Sequence, residues 1–126
     1  MRTEEPAYAK LVADNGREYY VHQQASTGEI KFDIGREKRE ANDPSYFFLA
    51  ESTTLSKKHA EIFWDVSKQG FFIMNHSKNK IYVEQEEVGQ KQVCERPLTN
   101  MTCVMISKIR FYFLLPMDGQ MAPAPQ

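Results

Sequence analysis

The feature that most constrains this chain is the shortness of its apolar stretches. Tyr46-Phe47-Phe48-Leu49 and Phe71-Phe72-Ile73-Met74 are wholly apolar, and Ile30-Lys31-Phe32-Asp33-Ile34 alternates apolar with polar. Each is bounded by turn-forming or charged residues. A strand needs only about 4–8 such residues, whereas a helix that buries one face needs roughly 10–12. No amphipathic helix longer than two turns can be drawn anywhere in the sequence. An all-β fold is what remains.

In chain order, residues 1–6 read as a disordered lead. Ala7–Ala13 alternates loosely as a first strand. Asp14-Asn15-Gly16-Arg17 is a hairpin turn, Asn-Gly being a strong signal, and Glu18–His22 returns from it. Gln23–Glu29 is polar, and Ile30–Ile34 has the period of a half-buried strand. The charged run Glu37–Asp43, closed by Pro44, reads equally as a short helix or a solvated loop. Tyr46–Leu49 is a strand. His59–Trp64 is another, with Ala60, Ile62 and Trp64 on one face and His59, Glu61 and Phe63 on the other. Phe71–Met74 is apolar throughout, which predicts a central strand. Ile81–Val83 follows, then Glu84–Glu87 as a tight connection with Val88 as a short partner. Gly89–Asn100 is a long polar connection. Met101–Ile106 and Ile109–Leu115 form a last hairpin turning at Ser107-Lys108. The tail 117–126, with its Pro, Gly and Ala, reads as disordered. The prediction is one β-sandwich domain over residues 7–116, with about eleven short, mostly antiparallel strands. Its core is expected to hold Phe47, Phe48, Phe63, Trp64, Phe71, Phe72, Phe111, Tyr112 and Phe113.

Composition narrows the function classes. Sixteen Lys and Arg against seventeen Asp and Glu give a net charge of −1, so there is no bulk positive field for nucleic acid. Cys94 and Cys103 are too few, and too far from any His cluster, for zinc. They read as free thiols of an intracellular protein, with one disulfide as the alternative in an oxidising compartment. The N-terminus lacks the apolar region of a signal peptide, and no apolar run approaches the ~20 residues that cross a bilayer. A soluble intracellular protein is expected. There is no Ser/His/Asp set, no paired carboxylates and no Gly-rich phosphate loop, so no enzyme is expected.

The chemistry lies at strand ends. Ser56-Lys57-Lys58-His59 follows the polar run Glu51–Thr54 and enters a strand. A hydroxyl and compact ammonium charge on one loop suit a phosphate. Arg36, directly after Gly35, lies on an upstream loop, and Asn75-His76-Ser77-Lys78-Asn79 on a downstream one. Each has a bland reading beside this one. Arg36 alone is a solvated surface residue, Ser56 a turn hydroxyl, the lysine pair a solvated face, and Asn79 a brace for its own loop. Of the two lysines, Lys57 is the one expected at the site. His59 reads as a satisfied structural histidine rather than an acid, base or ligand, and His22 and His76 as surface residues. No metal site and no cofactor are expected.

Gly35-Arg36, Ser56-Lys57-Lys58-His59 and Asn75-His76-Ser77-Lys78-Asn79 together resemble the motif set of forkhead-associated (FHA) domains: Gly-Arg, Ser-x-x-His, and Asn or Asp-x-Ser-x-Asn-Gly. Order and spacing agree over roughly Ala7 to Pro116. The opening Ala-Lys-Leu strand, Tyr19-Tyr20-Val21 and the closing 111–116 further resemble the FHA domains of forkhead transcription factors. The resemblance implies an eleven-stranded FHA-type sandwich that binds phosphothreonine on a partner protein, in a nuclear, transcriptional setting. It implies that Arg36 reaches the phosphate and that Ser56 donates its hydroxyl to it. Lys57 adds charge or a backbone amide, Lys78 packs beside the phosphothreonine, and Asn79 bonds the peptide main chain. His59 ties the two recognition loops through its ring nitrogens, and Gly35 lets the backbone pass beneath them. No small-molecule substrate, direct nucleic-acid contact or membrane is implied, and a monomer is favoured over a dimer. The sequence departs from the pattern at Lys80, where the family has glycine, and at Ile81, where it has threonine. Were that position to need a positive φ, Lys80 would be strained. The alternative function is therefore a scaffold with a decayed phosphate site, acting through other faces or by dimerising.

Overall fold

The computed structural model describes residues 8–22, 29–36, 46–51 and 53–115. The charged run over 37–45, its helix-or-loop alternative, and both predicted disordered ends (1–6 and 117–126) lie outside the described residues. Ten strands are present: β1 (Ala9–Ala13), β2 (Glu18–Val21), β3 (Lys31–Gly35), β4 (Tyr46–Phe48), β5 (Ala60–Asp65), β6 (Gly70–Asn75), β7 (Ile81–Val83), β8 (Glu86–Val88), β9 (Thr102–Ile106) and β10 (Ile109–Leu114). That is one fewer, among the described residues, than the sequence suggests. They form a six-stranded sheet, β2-β1-β10-β9-β7-β8, and a four-stranded sheet, β4-β3-β5-β6. Pairing is antiparallel except for β3 with β4, which run parallel. The fold is an all-β sandwich of these two sheets.

Alternation decides which side chains meet between the sheets. Leu11, Phe32, Ile34, Ile62, Ile73, Ile81, Val104, Ile106, Phe111 and Phe113 are all at most 2 % exposed. Fully burying each contributes about 1.5–3 kcal/mol, which offsets the chain entropy of ordering short strands. Tyr112 corrects the expected core: it is 39 % exposed between two buried phenylalanines, because successive strand residues face opposite ways. Phe48 and Phe63 are half-buried for the same reason.

β6 is also not where its composition puts it. It lies at the edge of the four-stranded sheet, and its apolar character reflects a cover rather than a neighbouring strand on that side. The Cys94 amide donates to the Ile73 carbonyl at 2.9 Å and the Leu98 amide to the Phe71 carbonyl at 2.8 Å. The long 89–100 connection thus caps the edge, with Cys94 and Leu98 buried. Cys94 and Cys103 are free thiols. The tight connection is only Glu84-Gln85, both at positive φ (50° and 74°) as a two-residue hairpin turn requires, while Glu86 and Glu87 belong to β8. Among the described residues no helix is long and apolar enough to cross a membrane.

The strand directions bring the connections β1–β2, β4–β5, β6–β7 and β9–β10, and the turn after β8, to one end of the sandwich. The side chain of Asn15 in the first of these donates to the Leu49 carbonyl at 2.9 Å, and Thr54 and Ser107 share a hydroxyl–hydroxyl hydrogen bond.

Candidate functional site

Arg36 leaves the end of β3 with its main chain and side chain both tied to the β4–β5 loop. Its amide donates to the Ser56 carbonyl at 3.1 Å and its Nε to the Leu55 carbonyl at 2.7 Å. Among the described residues its two terminal nitrogens have no partner, so a planar fork is fixed at its base and open at its tip.

This approach depends on Gly35. A β-carbon there would stand 1.9 Å from the Lys57 carbonyl oxygen and 2.8 Å from that of Ser56, far inside any allowed contact. Tyr46 holds the same Lys57 carbonyl, its hydroxyl donating at 2.7 Å. Glycine is needed here for closeness; its φ is not in the left-handed region.

Ser56 lies where two loops touch. Its hydroxyl donates to Ser77 Oγ at 2.9 Å, and Ser77 Oγ also accepts from the Asn79 amide at 3.1 Å. Asn79 Nδ2 reaches back to the Thr54 carbonyl at 3.3 Å. Arg36, Ser56 and Asn79 are therefore brought together on adjoining loops at one end. Lys57 and Lys78 are exposed on these loops, and among the described residues neither has a carboxylate partner. Lys58 turns away, with its ammonium 3.7 Å from Asp33 Oδ2.

The loops are braced from below by residues that sequence reasoning gave no separate role. Asn75 is fully buried and uses its whole amide: Nδ2 donates to the carbonyls of Asn79 and Val88, each at 3.0 Å, and Oδ1 accepts from the Ser77 amide at 3.0 Å. Ser77 is 3 % exposed. The signal was in the sequence: polar side chains two apart in Asn75-His76-Ser77-Lys78-Asn79 are the spacing of successive side-chain-to-backbone turns.

His59 is fully buried, against the strand alternation that would set it beside Glu61. Only Nδ1 is bonded, accepting from the Ser56 amide at 3.1 Å within its own loop, while buried Nε2 meets no partner at hydrogen-bonding geometry. The second loop is held by the His59 main chain, whose carbonyl accepts from the amides of His76 at 2.8 Å and Ser77 at 3.2 Å. Burial pushes the imidazole below its ordinary value, partly opposed by the nearby Asn79 main chain. Burial favours the neutral ring, and an imidazole that accepts at Nδ1 carries its proton on Nε2 in that form.

Lys80 is unstrained. It is absent from the residues with positive φ, and its ammonium lies 2.6 Å from Glu87 Oε2 across to β8. The Glu87 hydrogen bond raises the lysine above its ordinary value.

Asp33, Glu61 and His76 bring one ligand atom each within 4.8 Å of one another on the outer face of the four-stranded sheet. Asp33 and Glu61 are cross-strand neighbours, a pairing that strand assignment alone did not reveal. His76 Nε2 lies 2.9 Å from Glu61 Oε1, and Lys31 and Lys58 stand 3.9 and 3.7 Å from the two carboxylates. Cations already compensate the cluster, which fastens the 75–80 loop to the sheet.

A family model described as the FHA domain matches residues 32–104, more than half of the chain. The N-terminal FHA domain of S. cerevisiae Rad53p, solved in complex with a phosphothreonine peptide, superposes with a TM-score of 0.67 at 11% identity, covering 86% of this chain and 94% of that one. The MEK1 FHA domain in complex with a HOP1 phosphothreonine peptide gives 0.64 at 16%, covering 88% and 99%. The FHA domain of CT664 from Chlamydia trachomatis gives 0.62 at 16%, covering 86% and 98%. The chain belongs to the forkhead-associated domain family.

Proposed function

We propose that this domain binds phosphothreonine on a protein partner through the loops that carry Arg36, Ser56 and Asn79. The observation that carries this is the interlock of those loops: Arg36 Nε on Leu55, Ser56 on Ser77, and Asn79 on Thr54, at 2.7, 2.9 and 3.3 Å. Each of these bonds fixes a functional group and leaves part of it unused. The Arg36 fork keeps its terminal nitrogens, and Asn79 keeps its carbonyl and one amide proton. The Ser56 hydroxyl can rotate from Ser77 to an arriving phosphate oxygen, exchanging a neutral hydrogen bond for a stronger charge-assisted one. Lys57 and Lys78 supply charge at the rim, and phosphate brings about −1.5 to −2.

Gross interactions of roughly 1.5–3 kcal/mol per charged hydrogen bond, less desolvation and ordering, give an affinity in the micromolar range. FHA domains are protein-interaction modules, and two of the similar structures hold phosphothreonine peptides. The likeness of the first strand, Tyr19-Tyr20-Val21 and 111–116 to FHA domains of forkhead transcription factors supports a nuclear, transcriptional partner. The test is titration of a phosphothreonine peptide library against wild type and Arg36→Ala by fluorescence anisotropy. Selected peptides should lose at least tenfold on Arg36→Ala and bind weakly when unphosphorylated. Binding that ignores both the phosphate and Arg36 would overturn the proposal.

A further inference from the structure

We infer that the site lies at the centre of a basic end of the sandwich, which selects partners carrying acidic residues on both sides of the phosphothreonine; this rests on the phosphopeptide reading above. Net charge over the whole chain is −1, so the bias is one of distribution. Lys78, Lys91 and Lys108 are exposed on three connections at this end, and among the described residues none has a carboxylate partner. The lysines of these loops that are paired, Lys58 and Lys80, are held by Asp33 and Glu87. The described acids on the same connections are few: Asp14, which accepts from the Arg110 amide at 3.4 Å, and Glu51. The far-end turns balance this end, with Asp65, Glu84 and Glu95 against Lys68 and Arg96.

Sheet order gives the patch its geometry. β7 lies between β9 and β8, so the turns carrying Lys108 and Lys91 leave from either side of the loop that feeds β7. The first abuts Thr54, through Ser107. The second abuts the start of the 75–80 loop, where the Lys91 amide donates to the Asn75 carbonyl at 2.6 Å. Two strand spacings separate these turns by roughly 10 Å, about three residues of extended peptide. A peptide centred on the Ser56–Asn79 junction therefore has on each flank an ammonium without a carboxylate partner among the described residues. Exposed ion pairs of this kind are worth roughly 1.4- to 5-fold in affinity each and fade with salt.

The experiment uses the full chain and three fluorescent peptides: a phosphothreonine peptide with Glu at the second and third positions on both sides, the same peptide with Gln there, and the acidic peptide without phosphate. At low ionic strength the acidic phosphopeptide should bind about tenfold tighter than the neutral one, with the gap closing as salt rises. The double variant Lys91→Gln, Lys108→Gln should remove most of the gap and leave neutral phosphopeptide binding unchanged. Equal affinity for the two phosphopeptides would overturn this inference and leave the phosphothreonine reading standing. Equal affinity with and without phosphate would overturn that reading and this inference with it. A DNA duplex that displaces the acidic phosphopeptide at matched concentration would make the end a general polyanion surface, and would also overturn the inference.

Discussion

Gly35→Ala isolates the step that aims Arg36. The added β-carbon would stand 1.9 Å from the Lys57 oxygen and 2.6 Å from its carbonyl carbon, where a carbon–oxygen contact needs about 3.3 Å. The peptide at Lys57 must therefore retreat by roughly 1.4 Å. That distance breaks the Arg36 amide to Ser56 bond at 3.1 Å and the Tyr46 hydroxyl to Lys57 bond at 2.7 Å. Two net hydrogen bonds at about 1 kcal/mol each, with about 1–3 kcal/mol of overpacking, give a destabilisation of roughly 3–5 kcal/mol. For a domain of this size that lowers the Tm by at least ~10 °C. Phosphopeptide affinity measured in the cold, where the variant is folded, should also fall at least tenfold, because the Arg36 fork and the Ser56 hydroxyl separate. Gly70→Ala is the control: the nearest atom to its added β-carbon is a Phe72 ring carbon at 3.4 Å, so its Tm should move by only a few degrees. Calorimetry on the pair decides. A Gly35→Ala variant that melts within 2 °C of wild type would refute the close-approach reasoning, whatever its affinity.

Asn75→Ala removes an amide that holds three main-chain groups in a buried site, and should cost roughly 3 kcal/mol in denaturant unfolding with no change in the slope. Ser77→Ala should cost only about 1–2 kcal/mol in the same assay, yet weaken phosphopeptide binding more than fivefold by releasing Ser56 and Asn79 from each other. Lys80→Gly should bind phosphopeptide within twofold of wild type, since Lys80 is not held at positive φ; a large gain in affinity would show that the lysine strains the loop. His59 sets a pH dependence. Burial lowers its folded value below the ordinary 6.5, so the stabilisation from the neutral ring is complete above that value and is lost as pH falls from about 6.5 toward the lowered one. Protonation would also turn Nδ1 from acceptor to donor and break its bond to the Ser56 amide. The Tm of wild type should fall more steeply between pH 7 and 5.5 than that of His59→Asn, and equal slopes would exclude the ring.

The sandwich was legible because turn residues and period-two alternation act locally: Asn15-Gly16 makes its turn, with Gly16 at φ 94°, and Ile62 and Ile73 face inward as their strands dictate. What was not legible is what depends on a partner far along the chain. β6 reads as central because an edge covered by 92–98 buries its side chains as completely as a neighbouring strand does. His59 reads as structural, but alternation, which groups it with Glu61 and Phe63, cannot foresee that its carbonyl meets the amides of His76 and Ser77. The site divides along the same line. Arg36, Ser56 and Asn79 can be picked by the chemistry they offer a phosphate, since a guanidinium, a hydroxyl and an amide are visible one residue at a time. Asn75 and Ser77 offer nothing outward; their donors and acceptors are consumed inside the fold, and only their spacing two apart hints at the turns they close. A change at these inner residues should therefore reach affinity through loop position, while a change at Arg36 should reach it through charge. Binding of a neutral phosphate mimic such as the dimethyl phosphate triester of the threonine should separate the two, falling with Ser77→Ala as steeply as phosphothreonine does, but far less with Arg36→Ala.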